Sequence, residues 1–223
     1  MQKIKILWVT NQIFPDISEF LNFEESSAGG WMYGLANTLK HKESIDLHIA
    51  SAYNIPNFVE EKLNGIKYYV LPTQKSLFKY NKNLEPFWEN LIERLQPDIV
   101  HIHGTEFAHG LALINACPNL KYVVSIQGMI SVCEKYYYAG ISTLNILKSV
   151  TFRDILRRDT IFHAKQKFKE RGKLEIDYIL KVKHVMGRTD WDFAHTKAIN
   201  PIINYHFSNE VLRDSFYTDE IWN

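Results

Sequence analysis

The chain has 223 residues, 46% of them hydrophobic and 23% charged, with a formal net charge of +1. This is a globular make-up sized for one large domain or two small ones, and no global charge points to nucleic acid. No apolar run reaches membrane-spanning length, and the run in MQKIKILWVTNQ is too short for a signal peptide. Cys117 and Cys133 lack metal-ligand spacing, so a reduced, cytoplasmic protein is the simplest reading.

Short apolar runs alternate with helical patterns along the chain. IKILWV (Ile4 to Val9) reads as a buried first strand. A long loop, Thr10 to Ala28, leads to a helix opened by Gly29 and Gly30, in which Trp31, Leu35 and Leu39 recur every four residues. IDLHIAS and GIKYYVLP are the next strand runs. LEPFWENLIERLQ is a helix with Leu84, Phe87, Trp88, Leu91, Ile92 and Leu95 on one face. DIVHIHG, FAHGLALINA and KYVVSIQG continue as strand, helix and strand. Residues 141–181 are mostly helix-forming and polar, with few breakers. KHVMG, TDWDFAHTKA and INYHF then add a strand, a helix and a short strand before the polar tail SNEVLRDSFYTDEIWN. The alternation predicts an α/β fold: a parallel sheet with helices on both faces.

In an open sheet of this kind, ligands bind beyond the carboxyl ends of the strands. After the first strand, Gly29, Gly30 and Gly34 match neither a dinucleotide fingerprint nor a P-loop, so no nicotinamide or flavin cofactor is expected. The glycine pair is either a tight turn with Ser26 or Ser27 capping nearby, or a bare helix N-terminus suited to a phosphate. In HIHGTEFAHG, alternation puts His101 and His103 on the same side, with Thr105 and Glu106 at the strand's mouth. His101 fits a packing role and His103 is the better site candidate; no third ligand of the right kind stands nearby for a metal. Gln127 and Gly128 end the next strand, where a glutamine can bind a sugar hydroxyl or a phosphate oxygen, or simply face solvent in a turn. Arg188 is either a phosphate or carboxylate clamp, or an ion-pair partner of Asp190 or Asp192; Thr189 or Asp190 can cap the next helix.

The ordered set KILWVTN, AGGWMYGLANTL, PDIVHIHGTEF, VVSIQGM, VMGRTDWD and NEVLRDSFY resembles the first half of the group 1 glycosyltransferases. These are retaining enzymes of glycosyltransferase family 4, built from two facing Rossmann-like domains (the GT-B fold). The resemblance implies that residues 1–207 are an acceptor-side Rossmann-like domain, that 208–223 begin an inter-domain segment, and that the donor-binding domain is absent from this chain. It implies a nucleotide-sugar donor and a polysaccharide or lipid-linked acceptor, with neither a cofactor nor a metal. Gly29 and Gly30 match the glycine pair beside the donor diphosphate, and His103 matches the histidine before the cleft. Glu106, Gln127, Gly128, Arg188 and Asp190 then line the acceptor side of the cleft. Many members carry a histidine where this chain has Gln127. The family's paired glutamates belong to the other domain, and the similar spacing of Glu85 and Glu93 here is coincidental. The polypeptide alone is expected to transfer no sugar.

Two further classes share this sheet and cleft: a non-catalytic sugar- or nucleotide-binding module, and half of a sugar-nucleotide epimerase. From Lys148 to Lys173, nine Lys or Arg stand against three Asp or Glu. This stretch is either a peripheral contact with an anionic membrane or a solvated, partly packed helix, because Ile155, Leu156, Ile161, Phe162 and Phe168 do not form one clean stripe.

Overall fold

The computed structural model describes residues 3–24, 29–74, 76–209 and 211. The Ser26 and Ser27 caps and the tail beyond Val211 lie outside the described residues. In chain order the elements are β1 (Ile4–Thr10), α1 (Pro15–Phe20), α2 (Gly30–Leu39), β2 (Ile45–Tyr53), β3 (Val59–Leu63), β4 (Ile66–Pro72) and α3 (Glu85–Leu95). There follow β5 (Ile99–His103), α4 (Leu111–Ala116), β6 (Tyr122–Ser125), α5 (Ile130–Cys133), α6 (Thr143–Ser149) and α7 (Phe152–Arg157). The series ends with α8 (Ile161–Lys181), β7 (His184–Gly187), α9 (Asp190–Ile199) and β8 (Asn204–Phe207).

The strands form one sheet in the order β3-β4-β2-β1-β5-β6-β7-β8. The protein is therefore α/β and Rossmann-like. Chain order reverses between β1 and β5, which opens a crevice at their carboxyl ends. Alternation along β1 divides the core between the two faces. Leu7 and Val9 pack with Trp88 and Leu91 of α3, Leu113 of α4 and Ile179 of α8. Trp8 turns the other way, with Ile17 of α1 and Met32 and Ala36 of α2. Each such fully buried side chain contributes about 1.5–3 kcal/mol.

Three features differ from the sequence expectation. First, β3 pairs antiparallel with β4 through an Asn64–Gly65 turn, both residues at positive φ (47° and 85°). Its sequence, VEEKL, lacks an apolar run because it is an edge strand, and edge strands carry charge. Glu60 there pairs with Lys67 at 2.7 Å and Arg94 at 2.9 Å.

Second, the loop after β1 contains α1, started by Pro15. Asp16 ties this helix down, accepting hydrogen bonds from Tyr33 Oη (2.9 Å), Asn64 Nδ2 (2.7 Å) and Tyr68 Oη (2.8 Å).

Third, the helical stretch 141–181 is three helices. Ser142, Thr151 and Thr160 each cap one of them, and Thr151 forms a reciprocal capping box with Asp154.

Candidate functional site

The site is built at the carboxyl ends of β5, β6 and β7, beside the start of α2. α2 starts at Gly29, whose φ of 74° is left-handed, and among the described residues no side chain caps this end. The Gly29 carbonyl accepts from the backbone N–H groups of Met32 (2.9 Å) and Tyr33 (3.2 Å), which closes the first turn. Gly29 is thus needed for the turn itself, since an L side chain is strained there. Gly30 is the first helical residue behind it, followed by Trp31, whose ring centroid lies 5.7 Å from that of His103.

His103, the last residue of β5, is 1% exposed. Its ring lies 4.4 Å from Trp8 and 3.9 Å from His101, which is on the same face, as alternation requires. Among the described residues, neither ring nitrogen of His103 has a hydrogen-bond partner. Burial, reinforced by the neighbouring His101 and His109, holds its pKa well below the usual value, so the imidazole is neutral. His101 contacts Ser125 Oγ through Nε2 at 2.6 Å, and burial lowers its pKa to about 4. His109 donates from Nε2 to the His103 carbonyl at 3.1 Å and is also lowered to about 4 by burial. Buried polar nitrogens without partners are rare and costly, and each calls for a reason.

The chain leaves β5 through Gly104, at φ 89°. A Cβ there would collide with Glu106 Oε2 and lie 3.7 Å from Gln127 Cδ. The glycine lets the Glu106 carboxylate fold back toward the Gln127 amide. Glu106 Oε2 and Gln127 Nε2 are both buried without a partner, one an acceptor and one a donor. Burial raises the pKa of Glu106, the nearby Glu175 adds to this, and Arg171 opposes it.

Arg188 donates from one guanidinium nitrogen to the Gln127 carbonyl (2.9 Å), and its backbone N–H donates to Asp192 Oδ2 (3.2 Å). Its side chain therefore reaches across to the end of β6. Thr189 caps α9 by accepting from the Asp192 N–H at 3.1 Å. A crevice of about 50 Å³ joins Trp31, His101, His103, Ser125, Gln127 and Arg188. Glu106 lies behind it, around Gly104. Asp190 is exposed in the first turn of α9 and Gly128 borders open space; neither lines this crevice. A larger cleft of about 620 Å³ lies around the amino ends of β5, β6 and β7, away from this cluster. Among the described residues, no group of three or more His, Cys, Asp or Glu is placed to hold a metal ion.

Sequence reasoning missed the supports of the site. Glu175 of α8 is fully buried. Its Oε2 accepts from Thr105 Oγ1 (2.8 Å) and the Ile130 N–H (3.1 Å). Its Oε1 accepts from the Ser131 N–H (2.9 Å) and Ser131 Oγ (2.6 Å). Burial still leaves its pKa above the usual range, although these donors pull it down. Arg171, counted with the basic stretch, donates from Nε to the Glu106 carbonyl (2.7 Å) and lies against the rings of Phe78, Phe107 and Phe168. Nothing local in a polar helix marks Glu175 as buried or Arg171 as half-buried.

No protein-family model matches the chain, and no curated protein matches it. Among solved structures it is similar to sucrose-phosphate synthase from Thermosynechococcus elongatus, at 9% identity and a TM-score of 0.46 over 92% of this chain. It is also similar to UDP-GlcNAc 2-epimerase from Methanocaldococcus jannaschii, at 12% identity and a TM-score of 0.38 over 87% of this chain. The chain spans 47% and 42% of the lengths of these two proteins.

Proposed function

We propose that this chain is the acceptor-side half of a retaining GT-B glycosyltransferase, which moves a sugar from a nucleotide-sugar to a polysaccharide or glycolipid. The observation that carries the proposal is His103: a buried, neutral imidazole whose ring nitrogens have no partner among the described residues, beside the start of α2 at the strand-order reversal. In this scheme the donor diphosphate lies at Gly29 and Gly30, where the helix N-terminus and its dipole favour negative charge. His103 is uncharged, so it does not neutralise phosphate. Its role is to hydrogen-bond a hydroxyl of the transferred sugar, donating from one ring nitrogen and accepting at the other. Glu106 and Gln127 offer an acceptor and a donor to a sugar hydroxyl on the acceptor side, and Arg188 fixes the Gln127 backbone. In this reading residues 1–207 form the acceptor-side domain.

The test is titration of the chain with nucleoside diphosphates and nucleotide-sugars, followed by amide chemical shifts. Shifts confined to the start of α2 and the end of β5 are expected. Gly30→Asp places a carboxylate against the diphosphate and should weaken binding at least about tenfold, on the order of 1.4 kcal/mol. Unchanged binding by Gly30→Asp would refute the phosphate role.

A further inference from the structure

The segment from Ile141 to Arg158 stands clear of the core. α6 buries Ile146, and α7 has no buried residue. On α7, Phe152, Ile155 and Leu156 follow i, i+3, i+4 spacing and so share one face; they are 75%, 54% and 68% exposed. Leu144 and Leu147 add a second exposed pair on α6. Arg158, at φ 52°, breaks the segment before α8, so this face is not a continuation of the α8 face. Soluble proteins seldom leave so many large apolar side chains exposed together without a partner.

The charge around this face is predominantly basic. Lys148, Arg153, Arg157 and Arg158 are all exposed, against Asp154, which is occupied in the Thr151 capping box and lies 3.9 Å from Arg153, and the exposed Asp159. We infer that α6 and α7 form a docking surface for an anionic lipid bilayer, with the apolar face entering the headgroup boundary and the four cations meeting acidic headgroups. A second copy of the chain would bring like charges together across the same face, which disfavours it as the occupant.

Its position adds a consequence. Arg171 of α8 is level with the carboxyl end of β5, where it bonds to Glu106. α8 runs from there toward the amino end of β7, so Ile161, ten residues and about 15 Å earlier along the helix, lies on the side of the sheet's carboxyl ends. The docking surface and the His103 crevice therefore belong to the same end of the sheet. Bilayer binding itself does not depend on sugar transfer.

The experiment is cosedimentation of the full 223-residue chain with phosphatidylcholine vesicles, with and without phosphatidylglycerol, at low and high salt. Binding to the acidic vesicles at low salt is expected, at least about tenfold weaker for Phe152→Ser with Leu156→Ser and for Arg153→Glu with Arg157→Glu. All four positions are exposed, so unchanged melting temperatures are expected; should the serine pair unfold, the charge pair decides. No binding to acidic vesicles, or binding that the variants leave unchanged, overturns the proposal. Lipid-free dimerisation that the serine pair abolishes, read by light scattering, overturns it in favour of a second copy.

Discussion

Replacing His109 with glutamine isolates the electrostatics behind the candidate site. His109 is 1% exposed, and its Nε2 donates to the carbonyl of His103. A glutamine amide can reach the same carbonyl but cannot titrate. Burial lowers the histidine's pKa from 6.5 to about 4. Between those values the unfolded chain holds a proton that the folded chain does not. The neutral imidazole therefore supports the fold fully above the unfolded pKa, and that support is lost as pH falls toward 4. At pH 5 the loss from this one group is about 2 kcal/mol, rising to about 3 kcal/mol below the folded pKa. Urea unfolding at pH 8 and pH 5 measures it. Wild type should lose about 2 kcal/mol more than His109→Gln over that interval, whatever constant offset the smaller side chain introduces at both pH values. Equal losses would show that His109 carries its proton in the fold and would refute a neutral His109.

Gly29→Ala should cost about 1–2 kcal/mol, because the φ of 74° strains any L side chain and a new Cβ would lie 2.8 Å from Met32 Cε. An unchanged urea midpoint would mean the turn readily adopts another conformation. Glu175→Gln sets an N–H group against donors from Thr105, Ile130 and Ser131, and should cost about 2 kcal/mol, or about 4–8 °C in Tm for a chain of this size. A melting curve that superimposes on wild type would refute the role of Glu175 as the pin between α8 and the β5 loop.

The buried runs in IKILWV and KYVVSIQG and the single-faced pattern of α3 were legible because a strand or helix repeats its geometry every two or 3.6 residues, and burial prints that period on the chain. The strand-end rule then selected His103, Gln127 and Arg188, which the fold brings into one crevice, together with Gly128 and Asp190, which line no part of it. Where the site pattern ended, local reasoning ended too. β3 is charged because it is an edge, α1 is short and held by Asp16, and Glu175 is buried only because Thr105 and Ser131, 70 and 44 residues away, come to it. The sequence by itself determined every strand but β3 and which polar groups fall at the strands' carboxyl ends, because those follow from local period and order. Only the tertiary structure decided that His103 is sealed and neutral, that Glu106 folds over Gly104 toward Gln127, and that the apolar face of α7 is left bare. Desolvation and exposure are set by what packs from elsewhere in the chain, and no local pattern records that.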